Sequence, residues 1–174
     1  MPKNKLIINL RLGRKSDARK VIHIHRRAVH EIASDDYSQE ILNCWGRFLS
    51  EEELNKRQKN FNVRIEKDDN IIVVAEVDKQ LAGFGEILIP ESELVAMYVN
   101  PDFKRQGVEA AILKDLEFRA EAKGLKYLHL HSSITAVPFY RKNGFEEMKK
   151  GTHTLDTGLQ MKCVMMKKNL SLTS

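Results

Sequence analysis

Apolar residues between Ile71 and Val99 come in short dense runs, whereas in the N-terminal third and after Val108 they recur every three or four positions. The first pattern belongs to strands and the second to amphipathic helices. Ile71 to Val77, a turn at Asp78-Lys79-Gln80, Leu81 to Ile89, a turn at Pro90-Glu91-Ser92, and Glu93 to Val99 predict three antiparallel strands in a meander that stops at Pro101. Ahead of them, Leu6 to Leu12 alternates as a first strand. Ser16 or Asp17 then caps a helix with Ala18, Val21, Ile22, His25, Ala28, Val29 and Ile32 on one stripe, ending near Ala33. Ser38 caps a second, short helix whose Ile41, Leu42 and Trp45 face inward, and Ser50-Glu51-Glu52-Glu53 spells a capping box for a third.

Beyond the meander, Val108 to Lys123 reads as a helix with Ala111, Ile112, Leu116 and Phe118 or Arg119 on its stripe and Gly124 as its C-terminal cap. A strand from Lys126 to Leu130 then runs parallel to its predecessor by the right-handed crossover rule. Thr135 to Asn143 is a short helix closed by Gly144, and Phe145 to Lys149 and Gln160 to Lys167 are two last strands. The fold class expected is α/β of the mixed α+β kind, a mostly antiparallel sheet of about seven strands with helices on both faces.

A chain of 174 residues suits one domain, here residues 1–168 with a frayed tail over 169–174. Its net charge of +5 is dispersed, which admits an acidic or phosphorylated partner but gives no clustered basic and aromatic face for nucleic acid. Cys44 and Cys163 are too few for a disulfide framework or a zinc site and suit a reducing interior. No apolar run reaches the roughly 18 residues of a membrane span, and Met1-Pro2-Lys3-Asn4-Lys5 is not followed by a signal-peptide core. Cytoplasmic residence without a membrane partner is therefore expected, and a homodimer is left open.

The stretch Asn100 to Ala110 combines a short basic loop, one glycine and the start of a helix. Free amides and the helix dipole make such a place attractive to phosphate. Val99 to Val108 followed by Ala111-Ile112-Leu113, together with Ala136-Val137-Pro138-Phe139-Tyr140-Arg141-Lys142-Asn143-Gly144-Phe145, resembles the acetyl-CoA-binding motif and following helix of the GNAT superfamily of N-acetyltransferases. The resemblance implies acetyl-CoA as acetyl donor and a small-molecule or peptide amine as acceptor. It also implies a diphosphate held by the loop amides and a pantetheine arm paired against the preceding strand. Cofactor contacts are then expected from Met97, Tyr98, Val99, Lys104, Arg105, Gln106, Gly107, Val108, Glu109, Ala110, Ser132, Ser133, Phe139 and Lys142. The family pattern is Gln/Arg-x-x-Gly-x-Gly/Ala; here Lys104 holds the first position and Glu109 the last, so weakened cofactor binding is expected unless Glu109 points outward.

The family's tyrosine in this Tyr-x-x-x-Gly-Phe spelling protonates the departing thiolate, which makes Tyr140 the candidate acid, with packing beside Phe139 and Phe145 as its plainer alternative. Glu93 is the candidate base, with Glu86 and His131 as rivals and a turn carboxylate as the bland alternative. His129 and His131 share a strand face, but no third ligand stands at recognisable spacing for a metal. Ser132, Ser133 and Thr135 fit either pantetheine contacts or a helix cap. Acceptor recognition is assigned to His30 and Tyr37; Asp35 and Asp36 are open to a cationic amine, and Trp45 is read as core. The rival to catalysis is a non-catalytic acyl-CoA-binding module that regulates a protein partner.

Overall fold

A computed structural model describes residues 6–171. The meander forms as its apolar runs require: β2 (Asn70–Val77), β3 (Gln80–Leu88) and β4 (Glu93–Val99) pair antiparallel, and β1 (Asn9–Leu12) pairs with β2. Asp78 and Lys79 both take positive φ, as a tight two-residue hairpin turn demands. β2 is apolar almost without interruption because both its faces are covered. Ile71, Val73, Ala75 and Val77 enter one core, while Ile72 and Val74 enter the other.

The first core lies under α4 (Val108–Ala122), which buries Val108, Ile112, Leu113, Leu116 and Ala120. This row differs from the expected stripe: Phe118 is exposed, because the i, i+4 row from Val108 to Ala120 is the one that meets the sheet. Gly83 and Gly85 let the helix come close, since a Cβ at Gly85 would stand 2.6 Å from a Leu116 methyl carbon. The opposite face carries α1 (Ala18–Ile32), α2 (Gln39–Trp45) and α3 (Glu51–Ile65). Ser38 Oγ accepts from the Ile41 amide, and Ser50 and Glu53 exchange the two bonds of a capping box. In α1 the buried isoleucine is Ile24 and not Ile22, because Ile24 continues the row from Val21 to Ala28 that meets the sheet.

α4 returns the chain to β5 (Tyr127–Ser133), which lies parallel to β4 as the crossover rule requires. α5 (Val137–Lys142), β6 (Glu146–Thr154) and β7 (Gln160–Asn169) complete a seven-stranded sheet of order β1-β2-β3-β4-β5-β7-β6. β1 begins later than Leu6, and the expected fraying from Asn169 is corrected. β7 runs through Asn169, and Leu170 packs into the core with its amide on the Lys126 carbonyl. Residues 172–174 lie outside the described residues. No helix among the described residues is long and apolar enough to cross a membrane.

Candidate active site

β4 and β5 share one register pair, Glu93 with His129, and then diverge. A cleft of about 620 Å³ opens in the gap. Because Ala96 and Tyr98 face α1 while Met97 and Val99 face α4, the gap gives access from both sides of the sheet. Ile32, Asp35 and Trp45 line it on the α1 side, and Lys104, Arg105, Glu109, Phe139 and Tyr140 line the other end.

The loop at that end is built by local chemistry. Asn100 Oδ1 accepts from the Asp102 amide, Pro101 opens a single 3-10 turn, and Arg105 and Gly107 take φ of 60° and 84°. Arg27 of α1 ties the loop down by donating to Asn100 Oδ1 at 2.9 Å and to Asp102 at 2.8 Å. α4 then starts with the amides of Val108, Glu109 and Ala110 unpaired within the helix, and the space over Gly107 is open. Lys104 and Arg105 bring positive charge to these amides, so the turn suits a diphosphate.

Tyr140 stands at the other wall, 6% exposed, its ring 5.3 Å from Phe139 and 5.4 Å from Phe145. Its hydroxyl makes no hydrogen bond among the described residues. Burial first, then the nearby Tyr98 and Glu109, raise the phenol well above its ordinary range, so it stays protonated. Tyr98 is pushed up to about 12 by burial, and its oxygen accepts from Trp45 Nε1 at 3.2 Å. Glu109 faces the cleft instead of pointing outward, and burial raises its carboxyl.

At the narrow end of the gap, Glu93 Oε1 lies 3.3 Å from His131 Nδ1, and both line the cleft. Glu86, the rival carboxylate, is excluded from the cleft: Arg64 and Asn70 hold its Oε1 at 2.8 and 2.7 Å on the α3 side. His129 and His131 do share a face, their rings 6.4 Å apart. Among the described residues no group of three or more His, Cys, Asp or Glu is placed to hold a metal.

Several expected contacts sit elsewhere. His30 is bonded to the Gly46 carbonyl at 2.8 Å and does not line the cleft. Tyr37 is a strut whose hydroxyl donates to the Lys162 carbonyl and accepts from the Ile134 amide, each at 2.7 Å. Tyr37→Phe should therefore lower stability by about 1–2 kcal/mol, read from the urea midpoint, because two part-buried backbone groups lose their partner. Lys142 is exposed at the end of α5, and Gln106, Gly107, Val108 and Ala110 supply main chain without lining the cleft. Ser132 and Ser133 line it, Ser133 also capping the following turn through the Ala136 amide. Asp36 is taken by Thr135 at 2.7 Å, whereas Asp35 lines the cleft. Trp45, read as core, lines the cleft as well; it lies one helical turn after the buried Leu42, at the edge of that face.

The sheet thus parts between two parallel strands beside the N-terminus of α4, an arrangement shared with a known enzyme family. A family model for the acetyltransferase (GNAT) domain matches residues 33–170, and the chain belongs to that family of N-acetyltransferases. It is 30% identical over 143 residues to the N-acetyltransferase YafP of Escherichia coli, covering 82% of this chain and 84% of that one. Over 139 residues it is 26% identical to spermidine N(1)-acetyltransferase of Thermoplasma acidophilum, with 75% and 83% covered. Among solved structures, a GCN5-related N-acetyltransferase from Rhodopseudomonas palustris matches with TM-score 0.80 at 22% identity, over 98% of this chain and 99% of that one. The PaiA N-acetyltransferase of Thermoplasma acidophilum, solved with coenzyme A, matches with TM-score 0.74 at 22% identity over 94% and 99%.

Proposed function

We propose that this chain transfers the acetyl group of acetyl-CoA to a primary amine by direct attack in a ternary complex. One observation carries the reading: an unpartnered tyrosine hydroxyl and a carboxylate open into the same cleft, beside a turn suited to a diphosphate. The complex of PaiA with coenzyme A supports the choice of donor. The slot edge of β4, left unpaired beyond Glu93, is complementary to an extended arm carrying amide groups.

In this reading Lys104, Arg105 and the first-turn amides of α4 hold the diphosphate, and Ser132 and Ser133 flank the arm. The acceptor enters between α1, α2 and β4, where Asp35 and Glu93 favour a cation and Trp45 offers an aromatic wall. Glu93 supplies negative charge that draws the ammonium to the reacting end of the cleft. Tyr140 donates its hydroxyl proton to the departing sulfur, a step that fits a phenol held protonated by burial. Spermidine, the acceptor named for the Thermoplasma acidophilum relative, is a suitable first substrate to try.

The test is thiol release from acetyl-CoA with spermidine, a lysine peptide and simple aliphatic amines, alongside calorimetry of acetyl-CoA binding. Amine-dependent release well above hydrolysis is expected. Tight binding without transfer to any of these amines would instead identify an acyl-CoA-binding module.

A further inference from the structure

His131 and Glu93 lie on neighbouring parallel strands 38 residues apart in sequence, and their side chains meet on the acceptor side of the cleft. An ionised carboxylate can only accept, so the hydrogen of this contact sits on Nδ1 and the lone pair on Nε2. No hydrogen bond occupies Nε2 among the described residues. On the acetyl-transfer reading above, we propose that His131 Nε2 takes the proton from the acceptor's ammonium, with Glu93 as the positioning residue that fixes the tautomer and steadies the resulting imidazolium.

The neighbours leave this pair undisturbed. His129 on the same strand points its Nε2 at the Glu91 carbonyl, 2.9 Å away. On β7, Met165 stands opposite His131, while Lys167 stands opposite His129 with its ammonium 4.2 Å over the Tyr127 ring. Asp35 of the segment after α1 and His153 of β6 line the same cleft without bonding to the pair. Glu93 is thus the one anionic group in contact with His131 among the described residues. An imidazole is also the better matched base: its ordinary pKa lies about four units below that of an alkylammonium, against about six for a carboxylate.

The protons balance. The ammonium gives one to Nε2, which returns it to solvent, and its nitrogen lone pair then attacks the thioester carbonyl. The C–S bond breaks, Tyr140 gives its proton to sulfur, and the second proton of the attacking nitrogen restores the phenol. The products are an acetamide, a free thiol and one released proton.

Two measurements test the assignment, kcat/KM against pH and the ¹⁵N NMR spectrum of the imidazoles, for wild type, His131→Asn and Glu93→Gln. His131→Asn should lower kcat/KM at neutral pH by about 100-fold, and the loss should fade near pH ~10 where the amine sheds its own proton. Its acetyl-CoA affinity should stay at the wild-type value. In wild type the His131 ring should carry its hydrogen on Nδ1, and in Glu93→Gln that preference for Nδ1 should be lost. An unchanged pH profile in His131→Asn, or an Nε2–H ring indifferent to Glu93→Gln, overturns the proposal. If the wild-type protein acetylates no amine while the Nδ1–H bond is seen, the acetyl-transfer reading falls and takes this role with it.

Discussion

Tyr140→Phe is expected to lower kcat for acetyl transfer by about 100- to 1000-fold. Its Kd for acetyl-CoA should stay within about threefold of wild type. The substitution keeps the ring and hence the packing on Phe139 and Phe145, so the fold should hold. It removes only a hydroxyl that makes no hydrogen bond among the described residues, so stability should change by less than about 1 kcal/mol. Such a split between turnover and binding is the signature of an interaction made in the transition state. Because burial raises the phenol, the loss should be of similar size at every pH where amines are normally assayed. Steady-state kinetics with a saturating amine would check this, and an unchanged kcat would mean that solvent protonates the thiolate.

The second large effect is a gain. Glu109→Gln should tighten acetyl-CoA binding by calorimetry at pH ~8, where ordinary carboxyls are ionised. Two unit charges about 6 Å apart at an effective dielectric near 20 repel by about 3 kcal/mol, or roughly a hundredfold in Kd. Lys104 and Arg105 offset part of this, so a gain of about tenfold is expected. The sign with pH follows from the direction of the shift. Burial raises the Glu109 carboxyl, and a nearby diphosphate raises it further, so binding takes up a proton. Wild-type affinity should therefore rise as pH falls through that raised carboxyl range. Glu109→Gln should lack that component, which the difference between the two proteins isolates from titration of the ligand's own phosphates. Equal affinities at every pH would mean that the carboxylate lies clear of the diphosphate.

Local chemistry made much of the fold legible. The dense apolar runs of β2 to β4, the serine caps of α2 and α3, and the parallel return of β5 all follow from residues close together in sequence. Choices settled by distant contacts were not legible. Ile22 and Ile24 are equally apolar, and only the seat of α1 against the sheet decides which is buried. The same holds for Phe118, turned to solvent, and for Leu170, held by a strand that begins some forty residues earlier. In the site, Tyr140 was a candidate through motif spelling and Glu93 through its place at the start of the strand before the loop. The contact between Glu93 and His131 depends on strand register, and the strut from Tyr37 spans 125 residues to Lys162, so neither is written in any local pattern.

The single register pair between β4 and β5 gives this sheet two edges in its middle. At the rim of a sheet, unpaired strand groups invite other chains and lead to aggregation, and proteins guard them with charge, bulges or short strands. Here Leu94, Leu130 and Val99 leave the flanking strands largely apolar, guarded only by Glu93 and by the irregularity of β4 at Val95. Their protection is location: α1 roofs one side of the opening and the α4 turn and α5 the other. A folded neighbour has no room to add a strand there, whereas a slender unbranched molecule does. Exclusion by width lets the protein keep a sticky edge permanently exposed to small molecules and closed to its own kind.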